Sequence, residues 1–474
     1  MMLTALPYHV DSADLFEAIA DEPWSVFLDS GRPRSTAGRI DILAARPSVT
    51  LVTRGDMTDI RRYDGMHPHA RLSPDDPFDL LREALAADGE PTELPFAGGA
   101  IGYFGYDLGR RIERLPQLAR ATGTTPDMAV GIYDWALVVD HDRRASWLVG
   151  AGRDPRTAAG WDALVALFGR AAAGMDTPTR RPFRVGTATC NFTRAGYRQA
   201  FARVQRYIAA GDCYQVNLAQ GFSAPASGDA WLGYQTLRRL NPAPYSAYLN
   251  VPDAHVLSSS PERFLEVRRG RVETKPIKGT RPRAAAPEAD SALARELRDS
   301  LKDRAENLMI VDLLRNDLGK VCEPGSVAVP HLFEVESFAT VHHLVSTVTG
   351  RLPAATDAIA LLRASFPGGS ITGAPKLRAM QIIEELEPER RGAYCGAISW
   401  LGFNGDMDSN IAIRTLTLAR DTLRFSAGGG LVADSQVDAE YQECLDKAAA
   451  LLRLVRECGG DLDTSLTEEQ CSGS

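Results

Sequence analysis

Cysteine is scarce in this 474-residue chain: seven residues, widely scattered, odd in number and with no C-x-x-C pair. Such a set builds neither a disulfide framework nor a structural zinc site, and it predicts reduced thiols in a cytoplasmic protein. An excess of positive charge is also missing. Lys and Arg total 53 against 61 Asp and Glu, a formal charge of −8, so no whole-molecule field draws nucleic acid or anionic lipid. No apolar run reaches the ~20 residues that cross a bilayer. The opening stretch MMLTALPYHVDSADLFEA lacks a basic segment followed by an apolar one, so neither a signal peptide nor a membrane partner is expected. Repeats and low-complexity tracts are absent as well. What remains is near-average globular composition, 44% hydrophobic and 24% charged, over a length that suits two or three modules or one large enzyme domain.

Residues 24–53 and 131–151 read as short strands around turns, and a helix is expected near 77–87. The segment 171–186 collects small, Pro and charged residues and is the best linker candidate. Thr193 caps a helical pattern that closes at Gly211, and CYQVNLAQGFSA alternates as a strand. Two longer helices are predicted, 291–318 ending at Gly319, and 437–457. AYCGAISWLGF and NIAIRTLTL read as strands between them. Strands and long helices do not alternate in βαβ order, which predicts an α+β fold.

Two motifs fail on inspection. GGSITGAPK at 368–376 places Lys376 three residues after its second Gly, where a phosphate loop needs one. DMDSN at 406–410 has Ile411 where a calcium loop needs Gly, and it reads better as a hairpin turn. Other residues invite chemistry. Lys278, between Ile277 and Gly279, is expected to lose its charge by desolvation, and only the neutral amine is a nucleophile. Glu262 directly follows Pro261. Glu306 lies on the first long helix, while Glu440, Glu443 and Lys447 fall within about 60° of one another on the second. Two glutamates from two helices are what a hard cation such as Mg²⁺ takes while keeping places for water and a ligand carboxylate. Arg414, charged within an apolar strand, needs an anion, and Gly428, Gly429 and Gly430 would let backbone N–H groups approach one. Each has a bland alternative: a surface lysine, wet helix faces, a flexible turn, and for His343 a hydrogen-bonded core imidazole. Together they describe a pocket for a small, multiply anionic metabolite, and nothing suits a polymer.

The blocks SPERF, PIKGT, DRAENLMIVDLLRND, VHHLVS, FPGGSITGAPK, YCGAIS, IAIRT, SAGGGLVADS and EYQE closely resemble the chorismate-binding half of the anthranilate synthase component I family, from about Phe192 to Leu452. WSVFLDSG and residues 96–109 resemble its N-terminal portion. The resemblance implies two antiparallel sheets packed around a central cleft with flanking helices. It also implies an N-terminal region 1–170 with an effector-type pocket and partner contacts, a catalytic region 187–458, and a disordered tail 459–474. Lysine in PIKGT resembles members that aminate chorismate at C4 on the route to 4-aminobenzoate and folate. Members with Ala there form anthranilate for tryptophan synthesis, which is the alternative. Isochorismate-forming relatives carry a Lys base where this chain has Gln215.

By this resemblance Lys278 attacks C2 of chorismate, Glu262 protonates the departing 4-hydroxyl and His343 sits near the ring. Glu306 and Glu443 hold Mg²⁺ with Glu440 behind them. Gly279, Thr280, Tyr394, Arg414, Gly428, Gly429, Gly430 and Lys447 hold the substrate's carboxylates and enolpyruvyl group. Ser30, Pro244, Tyr245 and Ser246 match residues that hold tryptophan in relatives, although 31–40 departs from that pattern. No Cys stands in a glutaminase elbow, so ammonia is expected from a separate glutamine amidotransferase subunit.

Overall fold

A computed structural model describes residues 1–63, 69–89, 92–123, 125–175, 178–337 and 341–463. Its strands form two sheets in which neighbours run antiparallel. The first begins at Met2–Leu6 and passes through Ala145–Gly150, Trp135–Asp140, Ile40–Ala44 and Val26–Asp29. It continues through Tyr245–Val251, Ala254–Ser260, Thr415–Ala419, Thr422–Leu431 and Gln215–Ser227. The second begins at Ile277–Pro282 and passes through Val341–Arg351, Arg271–Thr274, Arg263–Arg268, Met407–Asn410, Ala397–Gly402, Gly99–Phe104 and Met128–Tyr133. Strands from 1–170 and 187–458 therefore share each sheet, and the two sequence regions interleave in space.

Several strands are apolar on both faces because each face meets a core. Every residue of Gly99–Phe104, Met128–Tyr133 and Trp135–Asp140 is buried. Val26, Val138, Leu249, Ile101, Tyr103 and Ile398 form one cluster that joins the two sheets. Each such side chain stabilises the fold by roughly 1.5–3 kcal/mol relative to exposure, so a charge at Ile101 would open the seam.

The chain passes between the sheets repeatedly, and two of these crossings frame the site. Ala254–Ser260 in the first sheet leads through Pro261 and Glu262 into Arg263–Arg268 of the second. Met407–Asn410 returns through 411–414 to Thr415–Ala419 of the first. The crossings lie side by side, since Ile411 N donates to Glu262 O at 3.0 Å and Ser259 N to Arg414 O at 3.1 Å.

Three expectations about local structure need correction. NIAIRTLTL is not one strand, because it changes sheets at 411–414, with Arg414 at φ 50. The helix expected over 291–318 is two, Pro287–Asp299 and Leu301–Gly319, broken where Ser300 Oγ caps the second by accepting from Asp303 N at 3.3 Å. Residues Met407–Asn410 are strand rather than turn, the turn being at Asn404 and Gly405 just before. By contrast, Val437–Glu457 is a helix as its spacing predicts, and Thr193 Oγ1 caps Arg194–Ala209 by accepting from Gly196 N at 3.0 Å.

Of the stretch 459–474, Asp463 N donates to Ala188 O at 2.8 Å, and residues 464–474 lie outside the described residues. Cys190, Cys213, Cys322, Cys395, Cys444 and Cys458 are buried and unbridged. Among the described residues no helix is long and apolar enough to cross a membrane.

Candidate active site

Lys278 lies on the edge strand Ile277–Pro282, with its side chain 15% exposed. Its Nζ stands 3.1 Å from Glu306 Oε1, on the helix Leu301–Gly319 packed against that strand. Burial pushes the pKa of Lys278 down, but the carboxylates of Glu306 and Glu262 outweigh it and the net shift is upward. The expectation that desolvation neutralises this amine is therefore wrong for the free protein: Lys278 rests as an ammonium. Burial alone would raise the pKa of Glu306, yet the Lys278 charge and hydrogen bond, with Lys447 and Lys302, hold it below its usual range. Lys275, three residues before Lys278 on the chain, pairs instead with Glu336 Oε1 at 2.9 Å.

Glu262 has the opposite character. Burial raises its pKa, and the opposing charges of Lys278 and Lys447 and a hydrogen bond from Ser370 do not cancel the rise. Its Oε1 accepts that hydrogen bond from Ser370 Oγ at 2.9 Å. An ammonium and a carboxyl with a raised pKa thus share one cleft, with Lys278 interacting with both Glu306 and Glu262.

Around them, Gly279 has φ +80, and a Cβ there would lie 2.9 Å from Leu297 Cδ1 and from Asp303, so only glycine suits this position beside Lys278. Thr280 Oγ1 and His343 Nδ1 are 2.9 Å apart across the strand pair. Burial and the Arg414 charge lower the pKa of His343, which favours the neutral ring. Arg414 is held at the second crossing, where Nη1 donates to Asn241 Oδ1 at 3.3 Å. Tyr394 is buried beside the same crossing, since Cys395 N donates to Ala412 O at 2.9 Å. His342, which precedes His343 in the sequence, is a core imidazole, with Nε2 3.0 Å from Asp290 Oδ1.

Gly428, Gly429 and Gly430 lie inside the strand Thr422–Leu431, opposite Ala219, Leu218 and Asn217, so they are ladder residues rather than a flexible turn. What they supply is room. A Cβ on Gly430 would collide with Gln215 Nε2, which donates to Glu306 Oε1 at 3.3 Å. The position of a Cβ on Gly429 lies 3.3 Å from Glu440 Oε2, 3.6 Å from Glu443 Oε1 and 3.6 Å from Lys447 Nζ. Sequence spacing thus gathers these three side chains at one point, as expected.

The carboxylates are unevenly shared. Glu443 pairs with Lys447 at 2.7 Å, Glu440 Oε1 accepts from Ser435 Oγ at 2.6 Å, and Glu306 faces Lys278. Among the described residues no group of three or more His, Cys, Asp or Glu side chains stands close enough to hold a metal. The donor chemistry nevertheless fits a divalent cation at Glu440 and Glu443. These are hard oxygens beside a glycine, and burial, reinforced by the Glu443 charge, raises the Glu440 pKa in a way that a cation would relieve. Glu306 would have to exchange Lys278 for the metal.

The effector-type residues lie elsewhere. Pro244, Tyr245 and Ser246 line a cavity of ≈ 590 Å³ between the sheets, together with Leu94 and Trp400. Ser30 does not line it: Gly38 closes over Ser30, and the divergent segment contributes Ala37, Gly38, Arg39 and Ile40 to the wall.

Sequence reasoning missed Ser370, Gln215 as a contact of Glu306, and the buried pair Lys376 Nζ to Asp317 Oδ2 at 2.6 Å. The signal for two of them was GGSITGAPK, read only against a phosphate loop it does not match.

A buried lysine, a buried carboxyl whose pKa is raised and an arginine at the seam of two sheets define an enzyme cleft for a small anionic ligand. The family model described as chorismate binding enzyme matches residues 28–453. The chain belongs to that family. It is 50% identical over 456 residues to "Aminodeoxychorismate synthase component 1" of Klebsiella aerogenes, covering 95% of this chain and 98% of that protein. It is 49% identical over 453 residues to the protein of the same name from Salmonella typhimurium, covering 94% and 96%. Among solved structures it resembles anthranilate synthase component I of Streptococcus pneumoniae, with 34% identity and a TM-score of 0.76 over 87% of this chain and 92% of that one.

Proposed function

We propose that the protein aminates chorismate at C4, giving 4-amino-4-deoxychorismate for 4-aminobenzoate and folate synthesis. The observation that carries this reading is Lys278 of PIKGT, buried in the cleft between Glu306 and Glu262. The Lys278 ammonium first loses its proton to water, an uphill transfer that consumption of the amine draws forward. Its nitrogen then bonds to C2 as the ring double bonds shift and the C4–O bond breaks. Glu262 gives its proton to the departing oxygen, which leaves as water. Ammonia adds at C4, the double bonds shift back, the C2–N bond breaks, and the ammonium proton returns to Glu262.

Arg414, His343 with Thr280, Tyr394, Lys447 and the space beside Gly279 and Gly428–Gly430 orient the two carboxylates and the enolpyruvyl group. Glu440, Glu443 and Glu306 are the residues that would hold Mg²⁺, which when bound supplies positive charge for a ring carboxylate. The name "component 1" borne by the relatives supports a second component, and we assign that part to a glutamine amidotransferase that supplies ammonia. The cavity lined by Pro244, Tyr245 and Ser246 is assigned to tryptophan, with 31–40 shaping its wall. The buried free thiols suit the cytoplasm.

Anthranilate formation is the rival, favoured by the likeness to the pneumococcal structure. The protein incubated with chorismate, Mg²⁺ and ammonia at high pH distinguishes them. A product that a lyase converts to 4-aminobenzoate is expected, and fluorescent anthranilate would overturn the assignment.

A further inference from the structure

Glu262 can act as an acid only if its proton sits on the oxygen that faces the substrate, and the structure shows what decides that. Ser370 Oγ donates to Glu262 Oε1 at 2.9 Å. A neutral carboxyl carries a single O–H, so an Oε1 engaged as acceptor leaves the proton on Oε2.

The donor is fixed from several sides. Ser370 lies in the short turn Gly369–Ile371, whose Ile371 O accepts from the buried Arg391 Nη1 at 2.9 Å. Thr372 Oγ1 ties back to Gly368 O at 3.0 Å. A Cβ on Gly369 would stand 2.4 Å from Leu313 Cδ2, so the turn sits hard against the helix that carries Glu306. Just past the turn, Lys376 Nζ binds Asp317 Oδ2 at 2.6 Å on that same helix. The hydroxyl is thus referenced to the helix of Glu306, not to the strand crossing that carries Glu262.

The geometry points to Ser370 as the positioning residue of the acid: it holds the Glu262 proton on Oε2, the oxygen left to serve the departing hydroxyl. In the step it serves, the Oε2–H bond breaks, the proton joins the C4 oxygen, and the C4–O electron pair leaves with that oxygen as water. The carboxylate left behind keeps its hydrogen bond from Ser370, which favours the charge it has just gained. Groups that also bear on this carboxyl are Lys278 from the edge strand, Lys447 from the C-terminal helix and Cys395 beside the second crossing.

This inference rests on the proposed role of Glu262, and its test is arranged to separate the two. Chorismate consumption with ammonia is measured for wild type, Ser370→Ala, Ser370→Thr, Glu262→Gln and the double variant Ser370→Ala/Glu262→Gln. Consumption is read whichever product forms, so a wrong product assignment leaves the test standing. Ser370→Ala should lower kcat about tenfold, the scale of one hydrogen bond to a charged group, with KM for chorismate within about twofold. Ser370→Thr should recover most of that loss, and in the Glu262→Gln background Ser370→Ala should add little, because the two residues act as one unit. A loss confined to KM, no rescue by Thr, or an undiminished Ser370→Ala effect without the Glu262 acid would each overturn it. An unimpaired Glu262→Gln enzyme would instead remove the acid role itself.

Discussion

The cleft around Lys278 and the cavity around Tyr245 lie along the same pair of sheets but treat charge in opposite ways. In the cavity, charges are satisfied in place. Arg263 holds Asp408 through Nε and Nη2, both at 3.0 Å, and stacks over the Tyr245 ring at 5.2 Å. Arg39 grips Asp140 through two hydrogen bonds in the same fashion. In the cleft, charge is left in tension: burial raises the pKa of Glu262 beside the Lys278 ammonium, which Glu306 contacts and Glu262 and Glu443 also stabilise. Groups whose environments push their pKa values apart are suited to proton transfer, whereas closed pairs are suited to binding. The contrast supports the proposal that one end of the inter-sheet space does chemistry and the other holds a ligand.

The comparison is broken most sharply at Lys278. Lys278→Ala should lower ammonia-dependent amination by two orders of magnitude or more, and Glu262→Gln by about one hundredfold, the scale of a lost acid or base. Both should leave the thermal midpoint within a few degrees of wild type. Rates near wild type would erase the distinction between the two regions.

A smaller effect is expected at the carboxylates near Gly429. Glu443→Gln should raise the Mg²⁺ concentration needed for half-maximal rate by about ten- to one hundredfold. Titration of activity against Mg²⁺ reads this directly, and an unchanged midpoint would remove Glu443 from the metal set.

The smallest effect on catalysis is expected from the cavity. Ser246→Trp should fill space beside Tyr245 and abolish tryptophan binding in equilibrium dialysis, while amination with free ammonia stays within about twofold. A large loss of amination with the cavity filled would mean that the two ends are coupled.

Much of this arrangement was legible in the sequence. The helix Val437–Glu457 follows from its apolar stripe, and the convergence of Glu440, Glu443 and Lys447 follows from helical angle alone. Other features were hidden because they depend on contacts distant in the chain. The charge of Lys278 is set by Glu306 on a neighbouring helix, and no flanking residue announces that pairing. The crossing at 411–414 was hidden because Ile411, Ala412 and Ile413 keep the apolar run going while the backbone changes sheets at Arg414. Ser370 was missed because a hydroxyl carries no periodic signal, and its acceptor, Glu262, sits on a separate strand crossing.

The most direct measurement is intact-protein mass spectrometry of the chain quenched during turnover of chorismate and Mg²⁺ without ammonia, followed by peptide mapping. The account predicts an added mass of chorismate less one water on the peptide containing Lys278, lost on adding ammonia and absent from Lys278→Ala and Glu262→Gln. An unmodified Lys278 in a preparation that aminates chorismate, or an adduct on another residue, would contradict it.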